Sequence, residues 1–392
     1  MLLILATAAF VSLAGTRLCD AMLPALAEAF ETGTVEASAV VSAYAIGYAV
    51  TQLLWGPVGD RHGKLRVIAI AALACTAITL AAAAATSLSA LVLARAAMGA
   101  TAAGIFPLGL AWISDNVPLA QRQQALARFS GVSVFGMILG PLLGGLLSEA
   151  WSWRGAFLVV AAMYAIIAWV VWRRDRAAKA EAATQPQPQL SAGPSPSLVQ
   201  GLRHLWALPW ARVVLLATAA EVALGIGCVA LAPTVLHQRF GLPLDKAGAV
   251  VALFGVGGFL FSQAAPWLLR QIARPRLPAL GGAIMGASIA SLGLIPDWGW
   301  AAPACVLAGF GFFTLHNTLQ VQVTQLAPDA SGLSFAAFTA SNFFGQSAGV
   351  AIIALAWARF GELPVFLVCG AGLLALGLAM SVLVQRRVEA LT

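Results

Sequence analysis

Residues 67–85 read VIAIAALACTAITLAAAAA, and no charged residue interrupts them. A chain segment crosses a bilayer as a helix when about 20 mainly apolar residues run together, because every backbone amide in lipid must be satisfied within the segment. Runs of this kind recur at 3–25, 37–56, 67–86, 89–112, 127–148, 154–173, 210–236, 246–269, 278–296, 301–325, 332–357 and 363–384. The chain therefore has room for about twelve spans. Composition agrees: only 9% of the 392 residues are charged, against about 25% in a soluble protein, so the outer surface must face lipid. The runs are continuous rather than alternating, which argues against a β-barrel. The expected fold is an all-α integral membrane protein.

The first run, MLLILATAAFVSLAG, has no basic leader and continues into TRLCDAMLPAL rather than a small-residue cleavage site. It reads as a retained first helix. The five cysteines are scattered through apolar runs with no CxxC or Cys/His cluster. Neither a disulfide framework nor a metal site is expected.

The net charge of +7 is explained by where the basic residues sit. Arg61, Lys64, Arg66, Arg122, Arg128, Arg173 and most others fall in alternate loops, while Arg154, Arg239, Lys246 and Arg359 fall on the other side. The positive-inside rule then places both termini and the basic loops in the cytoplasm. Nucleic-acid binding is not expected. A stretch rich in Pro, Gln, Ser and Ala follows the sixth run and cannot bury a core, so it reads as a flexible linker. The expected units are an N-terminal six-helix half at 1–175, a cytoplasmic linker at 176–209 and a C-terminal half at 210–392. GMILGPLLGG in the fifth run has a thinner counterpart, GQSAGVAIIA, in the eleventh. Two halves of like orientation imply parallel repeats with a substrate site between them near midplane.

Between the second and third runs lies GPVGDRHGKLR. Small residues there allow a tight turn and close helix approach. Asp60 can face a helix N-terminus, where the dipole favours an anion. Arg61 can pair with Asp115 at the end of the fourth run. Such a cluster would form a latch that breaks when the halves rock apart; a solvated basic turn is the plainer alternative. Gly136, Gly140, Gly144 and Gly145 recur at near-helical spacing and make a groove for close packing, with Pro141 bending the helix.

These motifs resemble those of the major facilitator superfamily. Gly56, Asp60, Arg61, Gly63 and Lys64 match its loop pattern, roughly G-x-L-x-D-R-x-G-R-R, with Val58 in place of Leu and Leu65 where a second basic residue is usual. LARAAMGATAAG, with Arg95, resembles its fourth-helix motif. Gly136, Gly140, Pro141, Gly144 and Gly145 resemble the fifth-helix motif of its drug:proton antiporter group. Asp20 and Pro24 resemble the first helix of bicyclomycin-resistance-like exporters. The resemblance covers nearly the whole chain and implies a secondary transporter driven by a proton gradient, with no other cofactor.

A charge at the bilayer centre costs roughly 2.5–3.5 kcal/mol even on the gentlest scale, so intramembrane ionisable groups are candidate functional residues. Arg17, Asp20, Arg95 and Glu221 are such groups. By helical rise Arg17 lies about 21 Å into the first span and Arg95 about 9 Å into the fourth, which enters from the other side. Asp20 can thus meet Arg17, Arg95 or both. The expectation is that Asp20 is a proton-coupling carboxylate with Arg95 as its modulator; a fixed ion pair is the alternative. Glu221, about 17 Å into the seventh span and without a basic partner in its own helix, is the second acid candidate. Tyr44, Tyr48 and Gln52 repeat every four residues on the second span. His316, Asn317 and Gln320 on the tenth and Asn342 and Gln346 on the eleventh add polar groups, and the set is expected to line a central cavity; interhelical hydrogen bonding is the alternative.

The expected function is proton-coupled efflux of small hydrophobic or amphipathic compounds by alternating access, as a multi-pass monomer in the cell membrane. The alternative is transport of a metabolite or organic anion bound by Arg17 and Arg95. No Ser/His/Asp set, metal cluster or Walker-type loop supports an enzyme or ATP-driven transport.

Overall fold

The computed structural model describes residues 1–184, 198–324, 326 and 331–391. Among them it is all helical. The helices α1 (Leu2–Arg17) and α2 (Leu23–Ala29) occupy the first expected span. The pair α3 (Thr34–Thr51) and α4 (Trp55–His62) makes the second, α5 (Lys64–Ala83) the third, and α6 (Leu88–Ala102) with α7 (Ile105–Asn116) the fourth. Then come α8 (Leu119–Ala150) and α9 (Trp153–Thr184), a short α10 (Leu198–Ala207), and the long helices α11 (Pro209–Phe240) and α12 (Leu244–Gln271). The chain finishes with α13 (Leu277–Leu294), α14 (Ala301–Thr324), α15 (Ser331–Phe360) and α16 (Glu362–Leu391). By length and apolarity ten of these stretches can cross a membrane, and the bent pair α3–α4 makes an eleventh. The remaining expected span is α1 with α2, of which α1 alone has 16 residues.

Three expectations need correction. The first span is not one helix: it tightens after Arg17 into three-residue turns, with Asp20 N donating to Arg17 O and Met22 N to Cys19 O. Pro24 then sits in the first turn of α2, where its missing donor costs nothing. The second span bends by 57° between α3 and α4, so most of GPVGDRHGKLR is helix rather than loop. Only Gly63, at φ 89°, makes the turn, in a conformation that favours glycine. The linker, expected to be flexible, carries helix at both of its ends. Helix α9 runs on to Thr184, and α10 presents Leu205 to the core while Trp206 is exposed. Residues 185–197 of that linker lie outside the described residues, as does part of the loop after α14.

Pairing follows one scheme twice. Helix α1 packs on α8, α3 on α6 and α5 on α9; α11 packs on α15, α12 on α14 and α13 on α16. The contacts are backbone to backbone. A Cβ on Gly47 would strike the Ala96 carbonyl, and one on Gly99 the Tyr44 carbonyl. A Cβ on Gly257 would strike Val306 and one on Gly309 would strike Phe254, every member of this second set 210 positions on from the first. Gly136 and Gly140 of α8 abut the Phe10 and Ala14 carbonyls of α1, as Gly345 and Gly349 of α15 abut those of Ala219 and Ala223, here 209 positions on. In lipid, where apolar burial gives no drive for helix association, such close approach is what holds helices together.

Residues before and after the linker also meet, through α8 on α12 and α3 on α15. Gly145 abuts the Leu244 carbonyl, Gly248 the Pro141 carbonyl, and Gly255 the Ile138 side chain. Further along, α8 and α12 part around a cleft of about 340 Å³ lined by Phe135, Phe259, Phe261 and Phe313. The glycine-proline motif of α8 thus serves two neighbours, α1 on one face and α12 on the other.

Candidate functional site

Two buried acids, one on each side of the linker, anchor the site. The turn after α1 carries Asp20 back over Arg17, and Arg17 Nε donates to Asp20 Oδ2 at 2.7 Å. Both side chains are essentially withdrawn from the surface. Asp20 Oδ1 and Arg17 Nη2 have no partner within the protein. Of the partners the sequence left open, the structure takes Arg17. Arg95 is engaged elsewhere: its Nε donates to Val40 O at 3.2 Å, and its guanidinium lies 4.3 Å over the Tyr44 ring. Its Nη1 and Nη2 are buried without partners.

Glu221 of α11 has a partner that the sequence did not assign to it. Its Oε2 is 2.9 Å from His316 Nδ1 of α14, and its Oε1 has no partner. The His316 ring stacks on Phe312, with centroids 4.7 Å apart, and is tilted against Phe338 at 5.0 Å. Glu221 is fully buried and His316 partly so, and a hydrogen bond in such surroundings is stronger than in water. His316 was read as a ligand-binding residue; spacing could not tie it to Glu221 because the two lie on different helices.

Tyr44, Tyr48 and Gln52 do share a buried face of α3. The Tyr44 hydroxyl donates to Ser12 O at 2.9 Å. The Tyr48 ring stacks on Phe343 of α15 at 3.9 Å, so it closes the seam between α3 and α15. Phe343 was missed by the sequence reading. Its signal was an aromatic residue between Asn342 and Gln346, on the face of α15 already singled out. Ser347 Oγ donates to Ser42 O at 3.0 Å across the same seam. Gln52 Oε1 and Gln346 Nε2 are buried without partners, and Asn342 and Gln320 are partly buried. Asn317 departs from the expected set: it is exposed and lines a separate groove with Arg274 and Arg387.

The basic stretch also pairs differently from expectation. Lys64, not Arg61, bonds Asp115, and Lys64 Nζ also lies 3.1 Å from Asp60 Oδ1. Arg61 is exposed. It sits one turn back on α4, whereas Lys64 opens α5 beside the end of α7. Gly56 has open space where a Cβ would be, whereas Gly59 packs on Leu108. The partners of Lys64 all precede the linker, so this cluster ties α4, α5 and α7 together rather than bridging the two sides of it. A contact across the linker occurs at the opposite end, where Gln238 Nε2 donates to Thr34 Oγ1 at 3.1 Å.

Among the described residues no group of His, Cys, Asp and Glu could hold a metal ion. A buried polar atom without a partner costs roughly 1–3 kcal/mol. Arg17, Asp20, Arg95, Gln52, Glu221 and Gln346 each carry such an atom, as do Thr79, Tyr164, Thr234 and Ser334 elsewhere in the core.

The chain is similar to known proteins over most of its length. The family described as Major Facilitator Superfamily matches residues 5–350. The MFS-type transporter YceJ of Bacillus subtilis (strain 168) is 25% identical over 88% of this chain and 85% of its own length. The "Probable L-galactonate transporter" of Escherichia coli (strain K12) is 23% identical over 72% of this chain and 65% of its own length. The multidrug resistance protein Stp of Mycobacterium tuberculosis is 30% identical, but over 37% of this chain and 27% of its own length. In fold, the chain superposes on the crystal structure of the peptide transporter POT with a TM-score of 0.75, covering 98% of this chain and 94% of that one at 16% identity.

Proposed function

The chain belongs to the major facilitator superfamily, and from that premise we propose that it exports small hydrophobic or amphipathic compounds in exchange for protons. The observation that carries this reading is the pair of buried acids, Asp20 and Glu221, each bonded through one oxygen and each holding a second, unpartnered oxygen. A buried carboxylate beside a movable cation can take up a proton when the cation withdraws and release it when the cation returns. Arg17 is that cation for Asp20, with Arg95 a second positive group near it, and His316 is the group bonded to Glu221.

In this reading residues 1–175 and 210–392 rock about the seams of α8 with α12 and α3 with α15. Tyr48, Phe343, Gln52 and Gln346 offer rings and amides to the compound. The likeness to Stp supports export of drugs by name only, over about a third of the chain. In this reading the protein acts as a monomer in the cell membrane with both termini in the cytoplasm, an orientation the basic loops support. Anion transport is the second reading. It is favoured by the free nitrogens of Arg17 and Arg95, which would clamp a carboxylate or phosphate.

The test uses inside-out vesicles energised to an acidic interior. Lipophilic cations, neutral antibiotics and organic anions are added in turn while internal pH is followed. Compound-dependent loss of the gradient, abolished by Asp20→Asn or Glu221→Gln, is expected. Accumulation of an anion in right-side-out vesicles, with no such response in inside-out ones, would sink the exporter reading.

A further inference from the structure

A groove of about 320 Å³ opens on the basic side, where α13 begins and α14 and α16 end, and no residue of the acid pairs lines it. Its polar wall carries Arg274, Arg387, Asn317 and Gln322. Among the described residues no aspartate or glutamate lines it. Glu389, the nearest acid along α16, accepts a hydrogen bond from Gln385 at 3.1 Å. Its floor is apolar, with Leu277 and Val384 buried, and Leu269, Val321 and Val388 stand half exposed beside the arginines.

Two arginines lining one groove repel each other, yet each is anchored. Arg274 lies in the short turn Arg274–Arg276, and Ser381 Oγ of α16 donates to Pro275 O of that turn at 2.6 Å. The Arg387 guanidinium is seated 4.7 Å over the Trp210 ring of α11. The groove thus brings two positive side chains and two amides together beside an apolar wall.

We propose that this groove binds the headgroup phosphate of an anionic phospholipid, with the acyl chains lying along Leu269, Val321 and Val388. The occupant follows from charge complementarity combined with position. A soluble phosphate would use the arginines alone, whereas only a lipid uses both the arginines and the exposed apolar residues beside them. The site is separate from the acid pairs, and it rests only on the chain's being a membrane protein. Transport assays that fail the export reading leave it standing.

The test is native mass spectrometry of the full-length protein released from nanodiscs of mixed phosphatidylglycerol and phosphatidylcholine. One retained phosphatidylglycerol per chain is expected. A basic residue near anionic lipid contributes on the order of 1 kcal/mol, about fivefold in affinity, so Arg274→Gln and Arg387→Gln should each weaken retention about fivefold and the double variant should abolish it. Arg276→Gln, in the same turn but outside the lining, should retain lipid as wild type does. Arg274→Lys with Arg387→Lys keeps both charges and should retain most of it, which separates loss of charge from loss of packing. If the double glutamine variant does not fold, wild type decides: its melting temperature should rise with phosphatidylglycerol and not with phosphatidylcholine. Equal retention of both lipids, undiminished retention in the double glutamine variant, or displacement of the lipid by millimolar glycerol phosphate would each overturn the proposal.

Discussion

The two sides of the linker share a scaffold and differ in chemistry. The backbone contacts of Gly47 and Gly99 are repeated by Gly257 and Gly309, and those of Gly136 and Gly140 by Gly345 and Gly349. The charged residues are not repeated. At the same displacement of 209 or 210 positions, Asp20 answers to Val229 or Ala230, Glu221 to Val11 or Ser12, and Arg95 to Cys305. Helix packing constrains both sides equally, because a side chain at a backbone contact forces the helices apart. Ionisable groups are under no such shared constraint. The partners differ in kind as well. Asp20 faces a guanidinium three residues back on its own chain segment, whereas Glu221 faces an imidazole ring of another helix, held between Phe312 and Phe338.

This contrast can be broken most directly at the acids. Asp20→Asn leaves Arg17 buried without a counter-charge, and such a loss costs about 3–5 kcal/mol. Glu221→Gln leaves His316 facing an amide that can still hydrogen-bond it, with a loss of about 1 kcal/mol. Thermal unfolding of both variants in one detergent should rank Asp20→Asn well below Glu221→Gln. Equal losses would mean that the two counter-charges act alike.

The shared scaffold predicts the opposite pattern. Gly47→Ala and Gly257→Ala each push a Cβ into a facing carbonyl, and each should cost about 1–3 kcal/mol by overpacking. The two losses should match within error in the same unfolding assay. A large difference would show that the two packings are alike in form and unlike in tension.

His316→Gln sharpens the comparison at smaller cost. The amide keeps a donor for Glu221 but loses the ring stacked on Phe312, so compound-dependent proton release should fall only in part where Glu221→Gln abolishes it. Complete loss would show that the ring itself is needed. The smallest effect is expected at Lys64→Met. Its partners Asp60 and Asp115 are both well exposed, and exposed pairs contribute under about 1 kcal/mol. Stability should hardly move, and a loss beyond that would mark the cluster as more than a surface tie.

The sequence by itself determined the membrane fold. Runs of about 20 apolar residues admit only spanning helices, since lipid offers no partner for a free amide. It also singled out the glycines of α8 and the acids, because small residues and charges are conspicuous in an apolar chain. Their partners were decided by the tertiary structure. Arg17 was reachable from Asp20 by helical spacing, but only the turn after α1 settled Arg17 over Arg95. Lys64 replaced Arg61 at Asp115 because Gly63 turns the chain between them. The pairing of Glu221 with His316, and of Tyr48 with Phe343, joins residues on different helices. Periodicity fixes which face of a helix a residue occupies. Which other helix meets that face depends on the packing of the whole bundle.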